Sequence, residues 1–251
     1  MQSRDSNDRI FAAPFEVEDI ANCYFYHTME LPGYGIVNGD WDLRRGVDDY
    51  LGKVLFAGKR VLEIGPASGF LTFEMEKRGA EVVSVEVTAD PGWDFVPYPA
   101  SKLEQVLGPR RIVMQRLKNS YWFAHAAHHS RANVYYGDVY NLPASFGEFD
   151  IAVIGSVLLH CRDPVRIVEQ CGQKARSLII TDMFYPDLEE APICRLAPTA
   201  QNFLWHTWWH FSTQFITQFL AVMEFEPSLI LKHQQYHLGK PYTLFTVVGE
   251  K

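Results

Sequence analysis

The chain is short of the features that would mark a metal centre, a membrane segment or a nucleic-acid groove. Its four cysteines are Cys23, Cys161, Cys171 and Cys194, and no two stand at Cys-x-x-Cys spacing, so neither a zinc site nor a redox motif is suggested. No uncharged apolar run reaches the length needed to span a bilayer, and the opening MQSRDSNDRI holds no apolar leader core. Basic residues gather only in the pairs Lys59-Arg60 and Arg110-Arg111, which read as solvated surface. With 23 Lys and Arg against 30 Asp and Glu, the net charge of -7 argues against neutralising a phosphate backbone. The Gly-x-Gly-x-x-Gly turn that holds a pyrophosphate is also missing, which counts against a dinucleotide enzyme. These absences point to a soluble, cytoplasmic protein in a reducing compartment. Its expected partner is a small molecule rather than nucleic acid or a membrane, and its oligomeric state is open.

What is present is an ordinary folded composition, 47% hydrophobic and 21% charged, with a high aromatic share of 14%. From residue 60 onward, short apolar runs alternate with helical patterns. Strands are expected at 61–64, 81–87, 133–136, 151–154 and 178–181. A helix is expected at 70–78, stopped by Gly79, and another from an Asp163 N-cap through Cys171. A further helix follows a cap at Ser212 or Thr213, and strands near 228–231 and 242–248 lie too close together for a crossover helix, so they form an antiparallel hairpin. The alternation predicts a mostly parallel sheet covered on both faces. Ahead of it, residues 1–20 read as a loosely held arm. Residues 23–50 read as an aromatic, Gly-rich lid leading into a short helix near 43–55.

The stretch VLEIGPASGF, residues 61–70, puts a carboxylate inside an apolar strand and then breaks into small residues. In an open α/β sheet such a turn lies at the carboxyl ends of the strands, where ligands bind. Gly65 and Gly69 let backbone approach a ligand, while Pro66 and Ala67 keep bulk out of its way; Pro66 also removes an amide that a phosphate would use. Glu63 repels phosphate and suits an ammonium group. Glu86 ends the next strand, where an acid takes the two hydroxyls of a ribose. Ammonium plus ribose without pyrophosphate points to S-adenosyl-L-methionine. Asp138 and Val139, after the third strand, suit the adenine amino group and ring, and Gly155 and Ser156, after the fourth, leave room for the methionine portion.

On VLEIGPASGF, Glu86, YYGDVYNLP, FDIAVIGSVLLHCRDP and the hairpin finish, the chain resembles the class I S-adenosylmethionine-dependent methyltransferases from about residue 40 on. LKNSYWFAHAAHHSRANVYYGDVYNLP and GSVLLHCRDPVRIVEQC look like a bacterial branch of these enzymes. GSVLLHCRDPV and residues 208–223 are distantly similar to tRNA wobble-uridine carboxymethyl transferases, whose cofactor-carboxylate residues have no counterpart placed here. The resemblance implies a Rossmann-like seven-stranded sheet with the last strand antiparallel and helices on both faces. It implies an N-terminal arm or lid over 1–40 and a methyltransferase domain over 41–251, with cap insertions near 91–130 and 183–211. Ala67 stands where the family usually has a third glycine.

For the acceptor, the expectation is a small aromatic or heterocyclic metabolite bordered by the aromatic caps. Tyr26 and His27 of the lid, Trp122 of the first cap, and His206, Trp209 and His210 of LWHTWWHFSTQF are the candidate substrate contacts. Trp205, Trp208 and Trp209 could make a flat wall for a ring or a cation. His206 and His210 are four apart, but no carboxylate completes a metal site and none is assigned. A sulfonium is already activated, so alignment matters most; a hydroxyl acceptor would gain from a base, and His160 is the first choice. Other readings are an RNA-modifying methyl or carboxymethyl transferase and a non-catalytic nucleoside-binding protein of the same fold.

Overall fold

The protein is described by a computed structural model covering residues 10–88 and 94–251. Its elements are β1 (Met29–Leu31), β2 (Gly35–Val37), β3 (Trp41–Asp42), α1 (Val47–Tyr50), β4 (Arg60–Ile64), α2 (Phe70–Lys77), β5 (Glu81–Glu86), α3 (Ala100–Ala127) and β6 (Asn133–Tyr136). They continue with β7 (Phe149–Gly155), α4 (Pro164–Lys174), β8 (Ala175–Met183), β9 (Cys194–Leu196), β10 (Trp209–Phe211), α5 (Thr213–Val222), β11 (Glu226–His237) and β12 (Lys240–Glu250). The central sheet has 8 strands in the order β3-β11-β12-β8-β7-β4-β5-β6. From β6 across to β8 the pairing is parallel. β12 then inserts antiparallel between β8 and β11. Two small ribbons, β1–β2 and β9–β10, stand apart from the sheet.

The parallel strands are apolar on both faces because both faces are covered. Val61 points to a core shared with Phe70, Phe73, Tyr121 and Trp122. Its neighbour Leu62 points to the opposite core, shared with Ile167 and Val168 of α4 and Ile216 and Leu220 of α5. Local chemistry fixes the helix starts. Asp163 accepts from the Arg166 amide at 3.1 Å with Pro164 in the first turn, and the Ser212 hydroxyl accepts from the Phe215 amide at 3.1 Å.

The structure departs from the sequence expectations in five places. The sheet gains an eighth, two-residue strand, β3, on the edge of β11. The helix expected over 43–55 shrinks to α1, because Gly52 (φ 66°) and Lys53 (φ 55°) turn the chain out of helical geometry. The sequence pattern places a helix from Arg110 to about His128, whereas α3 begins ten residues earlier and runs through Pro109; that position is exposed, so water can take the carbonyl left unpaired by the missing proline N–H. The hairpin strands are longer than expected, joined at Leu238 (φ 48°) and Gly239 (φ 75°), the left-handed pair of a tight two-residue turn. Residues 10–20 are not a loose arm: Ala12 donates to the Val134 carbonyl at 2.8 Å along the β6 edge, and Ile10 and Phe11 pack on the core. The first nine residues of the arm and residues 89–93 of the first cap lie outside the described residues. No described helix is long and apolar enough to cross a membrane.

Candidate functional site

The strand order reverses at β4, which has β5 on one side and β7 on the other, and the 65–69 turn leaves β4 at that crevice. Three of its residues are left-handed: Gly65 (φ 74°), Ala67 (φ 51°) and Gly69 (φ 89°). A Cβ at Gly65 would lie 2.5 Å from Val157 Cγ2, and one at Gly69 would lie 2.5 Å from the Phe73 ring. Both glycines are therefore required by φ and by space, whereas Ala67 holds a conformation that a glycine would adopt more easily. The Gly69 amide donates to the Pro66 carbonyl at 2.8 Å and closes the turn.

The two acids on either side of this turn have different surroundings. Glu86 bends back over it: Oε2 accepts from the Ala67 amide at 3.2 Å and Oε1 from the Val87 amide at 2.9 Å. Burial raises its pKa and the two amides pull it back, as does the charge of Arg110. Glu86 lines a cavity of about 100 Å³ together with Pro66, Ala67, Leu117, Tyr121 and Tyr136. Glu63 is sealed below the turn at 1% exposure. Its Oε2 accepts from the Thr72 hydroxyl at 2.5 Å and the Ser84 hydroxyl at 2.7 Å, while the buried Oε1 has no hydrogen bond. Burial pushes its pKa up to about 7 against these two hydroxyls. Glu63 thus braces the turn from beneath and is not on the cavity wall.

Further along the same edge, Asp138 is exposed after β6, its Oδ1 accepting from the Tyr140 amide at 2.9 Å. Val139 is buried in the core under it. Gly155 ends β7 against Tyr50, whose ring carbon would lie 2.9 Å from an added Cβ. Ser156 (φ 52°) donates its amide to the Thr181 carbonyl at 2.7 Å, and its hydroxyl lies 3.2 Å from that of Tyr50.

Above this edge lie three cap segments. The lid strap is fastened to the turn, where the His27 amide donates to Ser68 Oγ at 3.0 Å, and to α3, where the Tyr24 amide donates to the Arg116 carbonyl at 3.0 Å. His27 is buried, which lowers its pKa to about 3. Tyr26 is half-buried, and burial raises the pKa of its phenol. Trp122 is core: it is 2% exposed and packs on Tyr121 and His125. The second insertion splits its candidates. His206 comes to His160, with ring centroids 5.3 Å apart, and the His206 carbonyl lies 2.5 Å from His160 Nδ1. A carbonyl only accepts, so Nδ1 carries the hydrogen and Nε2 keeps its lone pair. Burial lowers the His160 pKa to about 4.

Trp209 and His210 serve the insertion instead. Trp209 donates to the Cys161 carbonyl at 3.0 Å, and His210 stacks on Tyr185 with centroids 4.0 Å apart. His206 lies in a turn and His210 on β10, so their spacing of four does not put them on one helix face. Of the three tryptophans, Trp208 and Trp209 stack with ring centroids 6.2 Å apart. Trp208 is pinned to the Asp94 carbonyl at 2.5 Å, and Trp205 faces Phe95 at 5.4 Å. Among the described residues no cluster of three or more His, Cys, Asp or Glu could hold a metal.

No family model and no curated protein matches the chain. Solved structures do. The N-terminal domain of EvdMO1, crystallised with S-adenosylhomocysteine bound, superposes at a TM-score of 0.56 with 14% identity, covering 100% of this chain and 97% of that one. A SAM-dependent methyltransferase of Methanosarcina mazei gives 0.52 at 14% identity over 82% of this chain and 96% of that one. The magnesium protoporphyrin IX methyltransferase of Synechocystis PCC 6803 with bound S-adenosylhomocysteine gives 0.50 at 14% identity, covering 81% and 82%. The chain has the class I methyltransferase fold. Its sheet carries the antiparallel insertion that the resemblance implied, with one edge strand more.

Within the methyltransferase fold, several residues around the strand ends escaped the sequence reading. Tyr121 and Tyr136 flank the Glu86 cavity. Asp182, at the end of β8, is 2% exposed, and burial pushes its pKa up to about 7. Arg110 is the clearest correction, being half-buried on α3 rather than on a solvated face. A signal existed for it: Met114, Leu117 and Tyr121 follow at four, seven and eleven residues, one helical stripe with Arg110 at its start.

Proposed function

We propose that the protein is an S-adenosyl-L-methionine-dependent methyltransferase acting on a small, planar, aromatic or heterocyclic metabolite. The observation that carries this reading is the Glu86 carboxylate held over the 65–69 turn by the Ala67 amide, at the point where the strand order reverses. The residues present suit that cofactor. The turn is built so that side chains are excluded at Gly65 and Gly69, it offers no basic residue to a phosphate, and an acid stands where ribose hydroxyls need acceptors. Glu86 would hold the ribose, the 65–69 backbone the amino-acid end, and Asp138 the adenine amino group. Glu63 would act through the turn, by bracing it, rather than by touching the ammonium. When bound, the cofactor supplies a methyl group already activated on a sulfonium.

The chain then has to orient the acceptor and exclude water. The lid strap, α3 and the 203–209 segment close over the strand ends and do the second task. His160 does part of the first. It is neutral across physiological pH, and the His206 carbonyl fixes its tautomer, so Nε2 can accept a hydrogen bond from an acceptor N–H or O–H. At a pKa of about 4 it orients a donor better than it retains a proton. Calorimetric titration and thermal shift with S-adenosylhomocysteine test the reading: binding should raise the melting temperature. Tight binding of NADH with no response to S-adenosylhomocysteine would overturn it.

A further inference from the structure

We infer that Asp94 is a positioning residue for His160, holding the segments whose contact fixes the His160 tautomer; the inference rests on the reading above in which His160 orients the acceptor. The second insertion meets the loop after β7 downstream of His206, where the Trp208 amide donates to the Leu159 carbonyl at 2.7 Å and the Trp209 indole to the Cys161 carbonyl at 3.0 Å. His206 itself is held from the first insertion, on both sides. The Val96 amide donates to the Trp205 carbonyl at 3.0 Å, and the Asp94 carbonyl accepts from the Trp208 indole at 2.5 Å. Residues 94–96 thus make a bracket around His206. The Asp94 carboxylate anchors that bracket to the His160 loop: its Oδ2 accepts from the Arg162 amide at 2.9 Å and from the Tyr140 hydroxyl.

Position matters here because one bond sets the tautomer. The His206 carbonyl, 2.5 Å from His160 Nδ1, keeps the hydrogen on that nitrogen, and hydrogen bonds weaken steeply once they bend. Arg162 lies two residues past His160 and Trp208 two past His206, so anchor and bracket act within about 7 Å of chain from each ring. Two donors on one carboxylate oxygen make charge-assisted bonds, about twice as strong as neutral ones. The Arg162 guanidinium, 5.3 Å from the centre of the Trp208 ring, reinforces the same junction. Without the carboxylate, the bracket would still grip the second insertion but would lose its hold on the His160 loop. The His206 carbonyl would then drift from Nδ1, and the imidazole would share its hydrogen with Nε2. An Nε2–H form presents a donor to the acceptor's own N–H or O–H and can no longer receive it.

The test reads the tautomer directly, by NMR of protein labelled with ¹⁵N-histidine at pH 7.5, with His160→Asn assigning the signal. In the native protein the Nδ1–H form should outnumber the Nε2–H form by about tenfold, roughly the worth of one hydrogen bond. In Asp94→Ala that ratio should fall to about one, as expected once the bond is lost. Asp94→Asn, whose amide oxygen still accepts from Arg162 and Tyr140, should keep the native ratio. If Asp94→Ala does not fold, Trp208→Phe takes its place: it keeps a ring, loses the indole N–H to the Asp94 carbonyl, and should lower the ratio as well. A native protein with the Nε2–H form in excess overturns the inference. So does a native ratio in Asp94→Ala, even with a lowered melting temperature, because Asp94 would then be a structural brace and nothing more; in its absence, a native ratio in Trp208→Phe has the same force. The measurement needs no ligand. Failure of S-adenosylhomocysteine to bind would sink the methyltransferase reading, while the tautomer ratio would still decide the role of Asp94.

Discussion

The strand-end edge and the caps above it are held by different forces. At the edge, the 65–69 turn, Glu86, Gly155 and Ser156 are placed by main-chain pairing between parallel neighbours, and what fixes the turn is backbone conformation. In the caps, isolated main-chain bonds, such as that from the Trp208 amide to the Leu159 carbonyl at 2.7 Å, are joined by side-chain contacts between distant parts of the chain: the Tyr98 hydroxyl donates to the Thr199 carbonyl at 2.7 Å, Trp208 to Asp94, and His160 to His206. A ladder leaves its members little choice of position, whereas a set of aromatic contacts can be rearranged by changing a few side chains. The edge is therefore the part suited to an invariant ligand, and the caps are the part suited to a particular acceptor.

Four experiments bear on that contrast. The largest effect is expected from Glu86→Ala, which should weaken S-adenosylhomocysteine binding by roughly 30- to 100-fold through loss of charged hydrogen bonds. Trp205→Ala in the cap should change it by less than about threefold. Equal losses in calorimetry would erase the distinction between edge and cap. Next is Gly69→Ala, which meets both a left-handed φ of 89° and a 2.5 Å contact with Phe73. It should cost about 2–3 kcal/mol in urea unfolding, and a cost below about 0.5 kcal/mol would mean that the turn is softer than described.

The third experiment uses pH. Folded Glu63, with its pKa raised to about 7, keeps a proton that the unfolded chain releases near 4.5, so its contribution to stability falls as pH rises between these values. Glu63→Gln stays neutral, so its melting temperature relative to the native protein should climb from pH 5 to pH 7.5. His160 works the other way. Neutral in the fold down to about pH 4, it favours folding increasingly as pH rises from 4 to 6.5, and His160→Asn should lose that rise. Parallel pH profiles for both variants and the native protein would contradict both burial arguments. The smallest effect is Ala67→Gly, which relieves a left-handed alanine and should add about 0.5–1 kcal/mol with cofactor affinity unchanged.

The same contrast explains what could be read from the sequence. Strand runs such as FDIAVIG, the caps at Asp163 and Ser212, and the glycines around the 65–69 turn announce themselves locally, because each is decided by its own neighbours. The place of Glu86, at the end of β5 beside the turn, could be read because it depends on strand order and spacing. Glu63 could not be separated from it: an acid inside a strand can face the ligand or the hydroxyls of Thr72 and Ser84, and only packing chooses. The caps were harder still. Trp122, Trp209 and His210 have the right chemistry for a substrate wall, but packing commits them to the core, to a carbonyl and to Tyr185. Arg110 was hidden for the opposite reason, since a charged pair beside a proline gives no local hint that a longer helix will carry it inward.

One consequence of the sheet order concerns how the molecule is made. β12 comes after every other strand in sequence, yet it lies between β8 and β11. While a growing polypeptide is still on the ribosome, the outer rim of β8 has no neighbour, and β11 has nothing to join it to the rest. An apolar rim left bare in this way invites pairing with other chains. The parallel half can assemble early, but it is shielded only when the final hairpin folds back and wedges itself into place.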